Sequence, residues 1–293
     1  MDRISQGYEQ LINNFVRWAQ TQEDIRLAFV LGSRARSDHP ADVWSDLDLA
    51  VVARDIRPYF ERADWINQVG KHWLTFIERT GDGSSVERRE LFDGGWDVDF
   101  ALMPLAMILA MFEKGVDPGI ADVFRRGVRV VLDKDNLLPD PGKYASAWKP
   151  PEPPSEGEFL QVVNDFWYHA VWSAKHVRRG ELWWGKTGCD DRLKYLLQQV
   201  LEWHAHATRG SGHDTWLRGR FLEEWADPRA VQQLSGAFAH FDEADIWHAL
   251  AVTMDLFRWV SQETANLLRF TYPVEGADHA SELVMRLSQG AEL

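Results

Sequence analysis

The sequence predicts a mixed α/β domain followed by an all-α domain. Three observations carry that reading. Up to about residue 132, short apolar runs alternate with segments of helical period. The stretch Lys149-Pro150-Pro151-Glu152-Pro153-Pro154 then interrupts the chain, because proline lacks the amide donor and restricts the residue before it. Beyond it, helical periodicity runs to about residue 270. The expected domains are therefore 1–148 and 155–293, and a chain of 293 residues can build a core in each.

Each element follows from local pattern. Tyr8, Leu11, Ile12, Phe15 and Val16 recur at helical spacing, so 8–20 is expected to be a helix. Ile25–Leu31 is a short apolar run ending at Gly32, as in a buried strand entering a turn. Asp38-His39-Pro40 marks a loop, and Leu47–Ala53 reads as the second strand. Pro58 suits a first helical turn and opens a helix expected over 58–70. Strands are expected at 73–79 and Val86–Phe92, and Asp93-Gly94-Gly95 is a hairpin turn leading to a strand over 96–102. Pro104 starts another helix, and 128–132 is a last strand. Past the prolines, helices are expected at about 156–180, 190–208, 214–225, 228–240 and 243–270.

Composition narrows the partners. The formal charge is −13, with 24 acidic against 19 basic residues up to Pro150 and 21 against 13 beyond it. Such a surface repels nucleic acid, whose binding leans on Lys and Arg at the phosphates, and attracts a cationic small molecule. The longest apolar stretch, 101–112, contains Pro104 and is shorter than the roughly 20 residues a membrane helix needs. The N-terminus lacks a signal-peptide layout, and the single cysteine, Cys189, cannot pair within the chain. A cytoplasmic protein with no membrane partner, monomer or homodimer, is expected. Most of the 15 tryptophans lie after residue 140, where core packing must account for most of them and a ligand pocket can use the rest.

The candidate chemistry lies in the first half. Asp46 and Asp48 are two residues apart at the start of a strand and so project from one face. A carboxylate from the neighbouring Trp96-Asp97-Val98-Asp99-Phe100 segment would complete a triad suited to hard cations such as Mg²⁺. The pattern offers both Asp97 and Asp99, which share a face. The Gly32-Ser33 turn can bring backbone amides and a hydroxyl against phosphate, and Arg34 and Arg36 can add charge-assisted contacts. Each piece alone is common; apolar strand, Gly-Ser-Arg, a loop of about a dozen residues, Asp-x-Asp and a third aspartate together are not.

Taken together these segments resemble the aminoglycoside nucleotidyltransferases, and most closely the aminoglycoside 6-adenylyltransferase (streptomycin adenylyltransferase) family. Leu31-Gly32-Ser33-Arg34, Ser45-Asp46-Leu47-Asp48-Leu49 and Val98-Asp99-Phe100-Ala101-Leu102-Met103-Pro104 carry the likeness in the first half. Asn164-Asp165-Phe166-Trp167-Tyr168, Trp172, Ala174-Lys175 and Leu201-Glu202-Trp203-His204 carry it in the second, over residues 10 to 225 in all. The register of the third segment selects Asp99. The resemblance implies a nucleotidyltransferase fold with a mixed sheet at the N-terminus and a helical C-terminal domain. It implies AMP transfer from ATP, with two Mg²⁺ at Asp46, Asp48 and Asp99, and phosphates at Gly32, Ser33 and Arg34. The drug would bind between the domains. Another small acceptor, such as a lincosamide or a metabolite, or a non-catalytic antitoxin-type role, is the alternative.

Second-half candidates follow from helical spacing. Asp165, His169, Trp172 and His176 fall on one continuous face, either a cleft wall for a cationic acceptor or an interhelical face with satisfied polar groups. His169 and His176 lack a third ligand at zinc spacing. Glu202 could meet an amino or guanidinium group, and Lys175 and Lys186 could reach phosphates or simply be solvated. Cys189 has no activating motif around it and reads as a passive small residue.

Overall fold

A computed structural model describes residues 3–79 and 86–291. The chain divides into two units, Met1–Lys149 and Pro150–Leu293.

The first unit is built on a six-stranded sheet. Its elements in order are α1 (Arg3–Gln20), β1 (Ile25–Leu31), β2 (Leu47–Ala53), α2 (Arg57–Glu61), α3 (Ile66–Val69), β3 (His72–Arg79), β4 (Val86–Phe92), β5 (Trp96–Pro104), α4 (Leu105–Lys114), α5 (Pro118–Arg126), β6 (Arg129–Asp133) and α6 (Gly142–Ala145). The sheet order is β3-β4-β5-β2-β1-β6. Among the described residues only β2 and β5 pair in parallel, and that pairing sets Asp48 beside Asp99.

The period of two divides each strand between two cores. Leu47, Leu49 and Val51 of β2 and Val98, Phe100 and Leu102 of β5 meet Tyr8, Leu11, Ile12 and Phe15 of α1 on one face. Ala50 and Val52 meet Ile108 of α4 and Phe124 of α5 on the other. Asp48 and Asp99 keep the parity of the second face, Asp48 as the second residue of β2 and Asp99 as the fourth of β5, before the residues that pack against α4 and α5.

Between α2 and β3 the structure departs from the single helix expected over 58–70. Tyr59 and Trp65 are six residues apart, about 120° around an unbroken helix, so one helix could not bury both in the same place. The chain breaks at Arg62 (φ −122°, ψ 148°) instead. Tyr59 and Trp65 then meet edge to face with centroids 5.9 Å apart, and the Trp65 indole donates to the Tyr59 carbonyl at 3.1 Å. Arg88 caps the short α2 from β4, donating to the Tyr59 and Phe60 carbonyls at 2.9 and 2.7 Å.

The second unit is helical: α7 (Glu156–Arg178), α8 (Leu182–Thr187), α9 (Leu193–Arg209), α10 (Leu222–Trp225), α11 (Pro228–Ala237), α12 (Glu243–Leu268) and α13 (Val274–Ser288). One core, including Phe159, Phe166, Leu197, Leu250 and Phe257, joins them. A π-turn, Gly188–Arg192, leads into α9 where the sequence suggested a helix from 190. The helix expected over 214–225 is replaced by a loop and short turns. Asp214 Oδ1 accepts from the Trp216 amide at 3.0 Å, a local bond that competes with helix, and Trp216, Arg218 and Phe221 take positive φ of 53°, 56° and 55°. No described helix is long and apolar enough to cross a membrane.

Candidate active site

The three carboxylates converge. One oxygen from each of Asp46, Asp48 and Asp99 lies within 4.8 Å of the others, the one such metal-capable group among the described residues. Asp46 precedes β2 and Asp48 is its second residue, so the strand pleat brings both to one side. Parallel pairing supplies Asp99, while Asp97 is diverted to the Tyr8 hydroxyl, which donates to it at 2.8 Å.

The Gly32 turn closes over the triad. Gly32 has φ +67°, and a Cβ there would stand 2.0 Å from Asp48 Oδ2. Only glycine allows both the left-handed backbone and this approach. Ser33 follows, nearly buried at 9% exposure, with its Oγ unpartnered among the described residues. Arg34 is held by the segment that leads into β2. Its Nε and Nη2 donate to the Asp46 and Ser45 carbonyls at 2.9 and 2.6 Å, and it lies 3.6 Å from the centre of the Tyr8 ring. Arg34 therefore holds the backbone that presents Asp46.

Burial raises the Asp99 carboxyl to about 6, with nearby Asp46, Glu87 and Asp97 adding to the rise. Arg89 opposes that rise through an ion pair with Asp99. Sequence reasoning missed Arg89, although a signal existed. Counting outward across the hairpin from Phe92 opposite Trp96 puts Arg89 opposite Asp99.

The second-unit candidates are dispersed. Asp165 Oδ2 is ion-paired with Arg192, and its Oδ1 stands 2.6 Å from His169 Nδ1, so the chain's own groups already surround it. Trp172 sits against His176 and Trp184, with centroids 4.1 and 5.5 Å away. His176 is paired with Glu181, and Lys186 with Asp190. Lys175 is exposed beside a cavity of about 450 Å³ that Trp172, Arg178 and Arg179 also line. Glu202 accepts from Gln198 Nε2 at 2.9 Å, and burial raises its carboxyl. It stands ten residues past Arg192, about 15 Å of helical rise, and is not brought to Asp165. Burial likewise pushes up the Cys189 thiol, the direction of an inert cysteine.

Comparison with known proteins decides the family. The streptomycin adenylyltransferase profile matches residues 6–287. The chain belongs to that family. With it comes membership of a class of nucleotidyltransferase enzymes, and the match reaches well past the 225 expected from the motifs. An aminoglycoside 6-adenylyltransferase of Bacillus subtilis (strain 168) is 22% identical over 278 residues, covering 90% of this chain and 92% of its own. One from Staphylococcus aureus is 21% identical over 281 residues, covering 90% and 93%. The crystal structure of an aminoglycoside 6-adenyltransferase from Bacillus subtilis is similar at a TM-score of 0.45 and 18% identity, over 95% of this chain and 98% of that one.

Proposed function

We propose that this member of the family transfers AMP from ATP to a hydroxyl of a streptomycin-like aminoglycoside and releases pyrophosphate. The observation that carries the reading is the convergence of Asp46, Asp48 and Asp99 under the Gly32 turn in a chain of this family. Three carboxylate oxygens within 4.8 Å form a hard, anionic donor set that fits Mg²⁺. Two such ions held by these residues would supply charge neutralisation at the phosphates.

The chain's own groups do the rest. Arg34 fixes the backbone of Asp46, and the Gly32-Ser33 turn presents the unpartnered Ser33 hydroxyl to a phosphate oxygen. Asp99 is placed to orient the attacking hydroxyl beside the ion it would hold, and the hydroxyl proton leaves to solvent water. The acceptor oxygen then bonds to the α-phosphorus as the bond to pyrophosphate breaks.

Acceptor recognition is assigned to the acidic second unit. Glu202 carries no ion pair among the described residues and suits an amino or guanidinium group, with Trp172 as an aromatic wall. Asp165 would have to exchange Arg192 for the acceptor's cation. Lys175 and Lys186 are assigned to the departing pyrophosphate, Lys186 by leaving Asp190.

The test is direct. The purified protein with ATP, MgCl₂ and an aminoglycoside panel should give an AMP adduct by mass, and Asp46→Asn and Asp99→Asn should abolish it. An adduct on a lincosamide but on no aminoglycoside would remove the acceptor assignment. Unchanged turnover in both variants would remove the site.

A further inference from the structure

Arg89 binds the candidate metal triad from outside, and its geometry has a consequence for which cation the triad accepts. On β4 it stands opposite Asp99 of β5 and shares its sheet face, whereas Arg88 and Glu90 turn to the other face and are buried. All three guanidinium nitrogens are engaged. Nη1 bonds Asp99 Oδ2, Nη2 donates to Glu87 Oε2 at 3.0 Å, and Nε is ion-paired with Glu78, off the line of a hydrogen bond. Glu78 and Glu87 hold the guanidinium by two sides, so it is not free to follow Asp99 if that carboxylate turns. The Asp99 side chain is 14% exposed, which leaves it little room to escape.

Arg89 holds one lone pair of Oδ2, which leaves Oδ1 as the Asp99 oxygen unclaimed by the guanidinium and disfavours a chelate through both oxygens. Mg²⁺ tolerates this, because it wants six ligands near 2.0–2.1 Å and keeps several waters. Ca²⁺ prefers six to eight oxygens at about 2.3–2.6 Å and gains most from a carboxylate that can offer both oxygens. Resting on the metal-site reading above, we propose that Arg89 is a specificity-determining residue. By holding Asp99 Oδ2 it disfavours a chelate at this ligand and so favours Mg²⁺ over Ca²⁺.

The chemistry of the side chain makes the proposal testable by substitution. Arginine offers a fixed fork, and lysine is a point charge on a flexible stem that cannot pin one carboxylate oxygen while bonding two glutamates. Arg89→Gln removes both charge and fork, and Arg89→Lys keeps the charge. Glu87→Gln leaves the bond to Asp99 in place and controls for general disturbance of the strand.

Binding of MgCl₂ and of CaCl₂ is measured separately by titration calorimetry. The samples are wild type and the three variants, all free of nucleotide, so that only the protein can take up the ion. Circular dichroism confirms folding, and Arg89→Lys serves if Arg89→Gln does not fold. The expected result is that the ratio of Ca²⁺ to Mg²⁺ affinity rises on the order of tenfold in Arg89→Gln and rises also in Arg89→Lys. It should stay at the wild-type value in Glu87→Gln. A wild type that binds Mg²⁺ while both Arg89 variants keep its ratio overturns the inference and leaves the metal site standing. A wild type that binds neither ion overturns the metal-site reading itself.

Discussion

At the scale of single residues, the site depends on atoms that approach closely. Gly32→Ala would set a methyl group 2.0 Å from Asp48 Oδ2, and alanine at φ +67° costs about 1–2 kcal/mol. The clash falls on the end of a side chain, so Asp48 can rotate away and the fold survives. The proposed metal site does not escape in the same way, because the rotated carboxylate leaves the triad. Calorimetry should show Mg²⁺ affinity reduced on the order of tenfold or more, while the melting temperature drops by only a few degrees. Asp99 gives a second prediction. Its folded value of about 6 lies above the ordinary 3.8, so the folded protein keeps a proton that the unfolded chain releases between them. The contribution of this group to metal-free stability is therefore full at low pH and falls as pH rises through that window. Comparing melting temperatures of wild type and Asp99→Asn from about pH 4 to 7 isolates it. The difference should move against the wild type as pH rises, and added MgCl₂ should reverse the trend near neutrality. The paired spacing of Asp46 and Asp48 was legible because the period of a strand is local. The use of Arg34 was not, since its partners lie across a loop whose path no spacing rule gives.

At the scale of elements, the strands were legible nearly to the residue and the interrupted helices were not. Ile25–Leu31, Leu47–Ala53 and Val86–Phe92 are bounded by turn residues that act locally. The break at Arg62 instead serves the joint burial of Tyr59 and Trp65, a tertiary demand that overrides the start signal at Pro58. Helix α13 went unread even though Ala277, Ala280, Val284 and Leu287 keep helical spacing, because Gly276 dilutes its first turn. Helix α7 carries a local device whose strength can be measured. Ser155 Oγ accepts from the Glu158 amide at 3.2 Å, and Glu158 Oε2 accepts from the Ser155 amide at 2.8 Å, a reciprocal capping box. Ser155→Ala should cost about 1 kcal/mol in denaturant unfolding. A loss within about 0.3 kcal/mol of zero would mean that packing of Phe159 and Val163, rather than the cap, fixes where this helix starts.

At the scale of the whole molecule, the two units divide the packing. Each has its own core, with Phe15, Leu49 and Phe100 in one and Phe166, Leu197 and Phe257 in the other. The boundary at Pro150 sits in a proline-rich stretch unsuited to helix or central strand. A single core of this kind is what a domain needs to fold alone, and 150–293 lies in the ordinary size range for one. The fragment 150–293 is therefore expected to give a helical circular dichroism spectrum and one cooperative melt, and fragment 1–149 to bind Mg²⁺ through Asp46, Asp48 and Asp99. Neither fragment should transfer AMP, because the proposed reaction needs the triad of one and the acidic, aromatic groups of the other. A non-cooperative melt for 150–293 would show that its core depends on the first unit. Transfer by 1–149 alone would show that Glu202 and Trp172 are dispensable to the chemistry and confine the second unit to packing.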